Sequence, residues 1–268
     1  MEATPALEAV FVLAAGFLAG AINVVVGAGT LVSFPVLVLL GYPPLTAAVS
    51  NAIGIAPGSI MGVIVYRDEL HRRRDVVWTL LPASIAGGVL GSLLLLHLSA
   101  DMFSATLPWL IGVGTLLVLL GPTLKGWATR GDGGSDVAPP SLPAFPSRAA
   151  KAWSLVGALC LGVYGGYFSA AQGVLLIAVL GLSTTLLLQE LNAIKNLTVA
   201  AVNLIAAATF LIVSPKLVAW HLVSLIAMGS ALGGFVGGRF AKRLPAAVFR
   251  AFVVIVGVAT VVVMTIGN

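Results

Sequence analysis

From Ala9 to Tyr66 the chain carries no charged residue, a run of 58 positions between Glu8 and Arg67. One helix of that length would reach roughly 87 Å, against about 30 Å for the hydrocarbon core of a bilayer. The run must therefore fold back within or across a membrane. Its natural break points are Gly27-Ala28-Gly29 and Gly41-Tyr42-Pro43-Pro44. They predict a full-length segment from about Ala6 to Val26, a short one from Thr30 to Leu40, and a third from Leu45 to Tyr66.

Composition confirms the solvent. Of 268 residues, 59% are apolar and only 9% charged, where soluble domains carry about 25% charged. So few charges cannot coat a water-soluble enzyme, and a disordered chain needs the opposite balance. The lone Cys160 excludes an internal disulfide and a multi-cysteine metal site. The net charge of +5 lies in short loops between apolar runs, a topology signal rather than a nucleic-acid face. Met1 to Glu8 holds two glutamates and no Lys or Arg, so no secretory signal is expected.

Further along, Val76–Ala100 and Met102–Leu124 read as single spans. Residues 122–150, rich in Gly, Pro and Ser, read as a cytoplasmic linker. Ala152 to Gln189 is again charge-free and too long for one ordinary span, and Leu191–Val213, Leu217–Gly238 and Ala246–Ile266 follow. The expected fold is thus an all-α integral membrane protein with two repeats, 1–121 and 151–268. Each opens with a broken segment and continues with three transmembrane helices. The glycine-rich block that starts at Gly20 has a counterpart starting at Gly162, 142 residues later.

Charge orients the halves. Arg67, Arg72, Arg73 and Arg74 follow the second segment of the first half, whereas Arg239, Lys242, Arg243 and Arg250 follow the third of the second half. Equivalent loops then lie on opposite sides, which means inverted repeats. If each broken segment enters and returns to one side, twelve loop Lys/Arg fall inside and only Lys216 outside. That split obeys the positive-inside rule and puts both termini outside. Trp78, Trp127, Trp153 and Trp220 are expected as interfacial anchors, and Trp109 as packed against a neighbour. The Gly54/Gly58/Gly62 and Gly229/Gly233/Gly237 series are expected to let helices approach closely.

Irregular backbone at membrane depth is tolerated only where it is buried in protein or lines a cavity. A broken helix also offers N–H donors and the positive end of a dipole, which attract anions. Candidate site residues are therefore Asn23, Gly27, Gly29 and Thr30 at the first break, and Gly165, Gly166, Ser169, Gln172 and Gly173 at the second. Ser50 and Asn51 lie in the helix after the first break, and Asn192, Lys195 and Asn196 in the one after the second. Lys195 is the only Lys or Arg expected deep inside a span, where a lone cation is costly. Three readings are open for it: holding an anion, pairing with Glu190, or snorkelling to the interface.

The stretches GFLAGAINVVVGAGTLVSFPVLVLLGYPP and AAVSNAIG, followed by the second glycine block, resemble the sulfite exporter TauE/SafE family. The resemblance puts Gly27, Gly29 and Pro35 in the first motif and Gly165, Gly166 and Gly173 in the second. Ser169 and Ala171 stand where the second motif is more often glycine. It implies a permease for a small anion such as sulfite, a sulfonate or a related sulfur compound. From the residues themselves, a secondary transporter is the first reading and an anion channel the alternative. No metalloprotease helix, nucleophile elbow, paired intramembrane aspartates or P-loop is present, so neither an enzyme nor a cofactor is expected. The carboxylates sit in loops or near segment ends, which leaves sodium or proton coupling, or passive export, as compatible modes.

Overall fold

The computed structural model of the protein describes residues 5–128, 143–240 and 246–266. Eleven α-helices and one short 3-10 turn make up the described residues, with no strand among them. The first run divides into α1 (Pro5–Val25), α2 (Thr30–Leu39) and α3 (Pro44–Val65), within one residue or so of the expected cuts. A short α4 (Arg67–Arg72) leads into α5 (Arg74–His97) and α6 (Ala100–Ala128). The second part holds α7 (Arg148–Tyr167), α8 (Gln172–Ser183), α9 (Leu188–Val213), a 3-10 turn (Pro215–Leu217), α10 (Trp220–Phe240) and α11 (Ala246–Ile266). Six of these helices, α1, α3, α5, α6, α9 and α10, are long and apolar enough to cross a membrane. The chain is therefore a multi-pass, all-α membrane protein.

The α1–α2 pair is a hairpin rather than one interrupted span. Tyr42, which follows α2, donates its hydroxyl to Glu8 near the start of α1, and lies 2.9 Å from His221 Nε2 at the start of α10. Burial first, then the Glu8 carboxylate, pushes the Tyr42 phenol up to about 12, so it remains a hydrogen-bond donor at physiological pH. The α7–α8 pair closes in the same way. Thr185 N–H donates to Ala144 O at 3.1 Å, and the Ser154 and Ser183 hydroxyls meet at 2.8 Å. In both pairs the chain comes back to the face it left.

Two faces follow from this path. The Glu8 face gathers Tyr42, His221 and the start of α3, where Ser50 Oγ accepts from Ala219 N–H at 2.9 Å. The opposite, Glu190 face carries α4 and the start of α9. There Arg73 Nε meets Glu190 Oε1 at 2.7 Å, while Glu190 Oε2 accepts from Leu187 N–H at 2.9 Å. Below that ion pair an apolar cluster that includes Tyr66, Leu80, Leu176, Leu180 and Leu191 fills the interior.

Packing depends on backbone approach. α1 lies along α10 and α7 along α5, with α3 and α9 crossing between them, while α6 pairs with α11. A side chain on Gly229 or Gly233 would overlap the α1 backbone near Phe17, and one on Gly58 would overlap Ser230 of α10. Those glycine series are packing faces, as their spacing predicts. Trp78, Trp153 and Trp220 are exposed near helix ends, whereas the Trp127 side chain lies outside the described residues. Trp109 corrects an expectation: it is 77% exposed rather than packed on a neighbour. An indole on the outer face of a membrane helix meets lipid, so solvent exposure there carries no hydrophobic penalty.

Boundaries differ at one further place. α6 runs through Pro122 to Ala128, so helix occupies the beginning of the stretch expected as linker. Residues 129–142 of that linker, and Lys242 and Arg243 of the basic loop, lie outside the described residues.

Candidate functional site

The two breaks are built alike. At the end of α1, Val26 and Gly27 both direct their N–H groups to Ile22 O, at 2.7 and 3.0 Å. At the end of α7, Phe168 and Ser169 do the same to Tyr164 O, at 2.9 and 3.3 Å. In each case the reaching residue is left-handed, Gly27 at φ +86° and Ser169 at φ +60°. Such a residue ends a helix by a reverse bond to the last turn, and glycine takes the position without steric cost. Ala171, just before α8, is left-handed too, at φ +56°. The two positions at which the second motif departs from glycine thus sit in glycine's conformational region.

The breaks touch each other. Gly173 N–H donates to Gly27 O at 3.1 Å, and a side chain on either residue would run into the other's backbone. Gly29 is closed in the same way by Ala19 and Asn23 of α1. These three glycines serve close approach and do not line open space.

Beside the contact lies a small cavity bordered by Thr30, Asn51 and Ser169, by Gly165 and Gly166, and by an aromatic wall that includes Phe34, Phe168 and Phe210. Water-sized centres have about 20 Å³ in it, little more than one water needs. Its walls come from the start of α3 and the ends of α5 and α9, so it belongs to the Glu8 side of the breaks. Asn51 Oδ1 is buried without a hydrogen-bond partner among the described residues. A buried polar group left unpaired costs about 1–3 kcal/mol, the signature of a site that expects a ligand or water.

The remaining candidates are distributed around this centre. Gln172 opens α8 fully buried, its side chain pressed on Gly165, with neither amide atom partnered. Asn196 lies against Gly62 with its Nδ2 unpartnered. Ser50 is used in tying α3 to the start of α10, and Asn192 donates to Leu188 O at 2.9 Å near the Glu190 face. Neither of these two reaches the cavity wall. Lys195 is fully buried, and its ammonium donates to Val24 O at 2.7 Å. That carbonyl belongs to the last turn of α1, the negative end of its dipole, where a cation is favoured. Burial of Lys195 speaks against the snorkelling reading, and the Glu190 carboxylate holds Arg73 at 2.7 Å.

Two polar residues escaped the sequence reading. Ser59 and Asn203 each lie fifteen residues beyond the first residue of their helix, α3 and α9. Both are buried, and they connect the breaks: Asn23 Nδ2 and Asn203 Nδ2 each donate to Ser59 Oγ at 2.9 Å, and Ser169 Oγ donates to Asn203 Oδ1 at 3.0 Å. Their matching distance from the helix start was the available signal.

Hairpins that return to their own face, meeting beside a small cavity in which Thr30, Asn51 and Ser169 face an aromatic wall, have the architecture of a membrane transport protein. The profile described as Sulfite exporter TauE/SafE matches residues 12–264, and the chain belongs to that family of membrane transporters. The relatives agree with this class. A "Probable membrane transporter protein ORF9" of Sinorhizobium sp is 27% identical over 250 residues, 93% of this chain and 89% of the relative. A "Probable membrane transporter protein" of Haemophilus influenzae is 27% identical over 249 residues, 90% of this chain and 88% of its own. The "Probable membrane transporter protein YfcA" of Escherichia coli K12 is 26% identical over 231 residues, covering 85% and 77%.

Proposed function

We propose that the protein is a secondary transporter that moves a small anion, a sulfur oxyanion or organosulfonate, across the cytoplasmic membrane by alternating access. The observation that carries this reading is the contact of the two breaks, Gly173 N–H on Gly27 O, directly beside the cavity of Thr30, Asn51 and Ser169. The N-termini of α2 and α8 begin there and supply the positive ends of two dipoles. Thr30, Asn51 and Gln172 supply neutral donors, Ser169 adds a hydroxyl whose proton is given to Asn203 Oδ1, and Asn196 and Lys195 lie behind the breaks. Lys195 contributes a fixed positive charge, and Gly27, Gly29, Gly165, Gly166 and Gly173 allow the close backbone approach. Asn23 sets the end of α1. Ser50 and Asn192 bear on the site only through the helices they steady.

Two inverted repeats fit this mechanism. The hairpins open on opposite faces, and the pairing of α1 with α10 matches that of α7 with α5 when the halves are exchanged. The small cavity on the Glu8 side, with packed apolar side chains and the Arg73–Glu190 pair on the other, favours a carrier over an anion channel. Purified protein in proteoliposomes should drive saturable uptake of radiolabelled sulfite or a short alkylsulfonate, with counterflow against unlabelled substrate. Large unitary currents, or no flux across a panel of sulfur oxyanions, sulfonates and carboxylates, would overturn this reading.

A further inference from the structure

Ser59 and Asn203 belong to neither break nor the cavity wall, yet a chain of side-chain hydrogen bonds from one break to the other passes through them. Ser59 Oγ accepts from Asn23 and from Asn203 and donates to Ile55 O at 3.2 Å, so its hydrogen-bonding capacity is full. Asn203 spends its amide N–H on Ser59 and its oxygen on Ser169. The result is a continuous chain, Asn23–Ser59–Asn203–Ser169, from the last turn of α1 to the left-handed residue on the cavity wall. Ser59 and Asn203 are 3% and 1% exposed, so water offers no substitute partner. We infer that Ser59 and Asn203 are positioning residues for transport: they hold the two breaks in register, so that a ligand touching Ser169 moves the end of α1.

The chemistry requires both residue types. A serine hydroxyl can accept two amide donors while giving its own proton to a helix carbonyl. An asparagine can give one group to that hydroxyl and offer the other to Ser169. Removing the hydroxyl strands two amide N–H groups in an apolar interior, and removing Asn203 unties the left-handed turn. In either case the Gly27–Gly173 contact loses the frame that keeps it closed. This role rests on the proposed substrate cavity, and the test separates the two.

In a Cys160→Ala background, Ala52→Cys places a thiol on the cavity wall. The probe is a membrane-impermeant, charged methanethiosulfonate, applied to either face of oriented proteoliposomes. Because the cavity as it stands holds little more than one water, the Ala52→Cys protein should label slowly, as it opens, and from the Glu8 face only. Adding Ser59→Ala or Asn203→Ala should open labelling from the Glu190 face, with a rate rise of about tenfold, the scale of one lost buried hydrogen bond. Ser59→Thr, which keeps the hydroxyl, should restore one-sided labelling. The two alanine changes together should do no more than either alone, because they cut one chain. If the alanine variants misfold, Ser169→Ala severs the same chain at its half-buried end and should give the same loss of sidedness. One-sided labelling that persists at an unchanged rate, with only the melting temperature lowered, would reduce the pair to a fold element and overturn the inference. If Ala52→Cys labels from neither face in the parent, the cavity itself is misassigned and the inference falls with it.

Discussion

Ser169 and Ala171 occupy left-handed backbone without being glycine, and the magnitudes nearly cancel at such a site. A left-handed alanine is penalised by roughly 1–2 kcal/mol. Glycine would lose about 0.8 kcal/mol of buried methyl and 0.5–1 kcal/mol in chain entropy. Ala171→Gly should therefore leave the melting temperature almost unchanged. Gly27→Ala faces the same left-handed penalty and, in addition, overlap with the Gly173 backbone. It should destabilise by more than about 2 kcal/mol, read as an earlier thermal transition in detergent. Equal behaviour of the two variants would contradict the tight contact of the breaks. At the same scale, Lys195→Met strands the Val24 carbonyl and should cost about 1–3 kcal/mol of stability. A charge-assisted contact with the anion would be worth at most roughly 10- to 150-fold in affinity. Because the ammonium sits on Val24 O and not on the cavity wall, the loss measured by radiolabelled sulfite binding should fall at the low end of that range. Lys195→Arg should retain part of the charge effect.

At the scale of elements, the ion pair between the α4–α5 corner and the start of α9 joins the two halves on the Glu190 face. Arg73 and Glu190 are 12% and 10% exposed, so the pair is largely desolvated. Breaking one partner of such a pair leaves a buried charge, whereas neutralising both leaves none. Glu190→Gln alone should destabilise by about 3 kcal/mol, and Arg73→Gln combined with Glu190→Gln should come within about 1 kcal/mol of the parent. A double-mutant cycle on thermal or denaturant unfolding reads this coupling directly, and additive effects would mean the pair is a passive surface contact. Helix limits in the first run were legible beforehand: charge-free length and glycine breaks place α1, α2 and α3 to within a residue or two. The hairpin closures were not, because Tyr42–Glu8 and Thr185–Ala144 join residues 34 and 41 positions apart that no local pattern connects.

For the whole molecule, the prediction concerns sidedness. By the positive-inside rule, twelve Lys/Arg on one side against Lys216 alone on the other lead to the expectation that the linker, the Arg67–Asp75 segment and the Arg239–Arg250 segment face the cytoplasm. In a Cys160→Ala background, Ser135→Cys should label only from the cytoplasm and Lys216→Cys only from outside. Labelling of both from one side would remove the inverted arrangement and, with it, the alternating-access reading. The membrane class, the number and order of apolar segments and the placement of both breaks follow from the sequence by itself. They depend on local quantities: run length, charge and the backbone freedom of glycine. Tertiary structure decided which polar residues share a space. Asn51 and Ser169 meet at one cavity while Lys195 turns to the end of α1, and Ser59 and Asn203 join two breaks from separate halves. Burial and hydrogen bonding between distant segments select those partners, and a linear pattern of residues carries no record of the packing that brings them together.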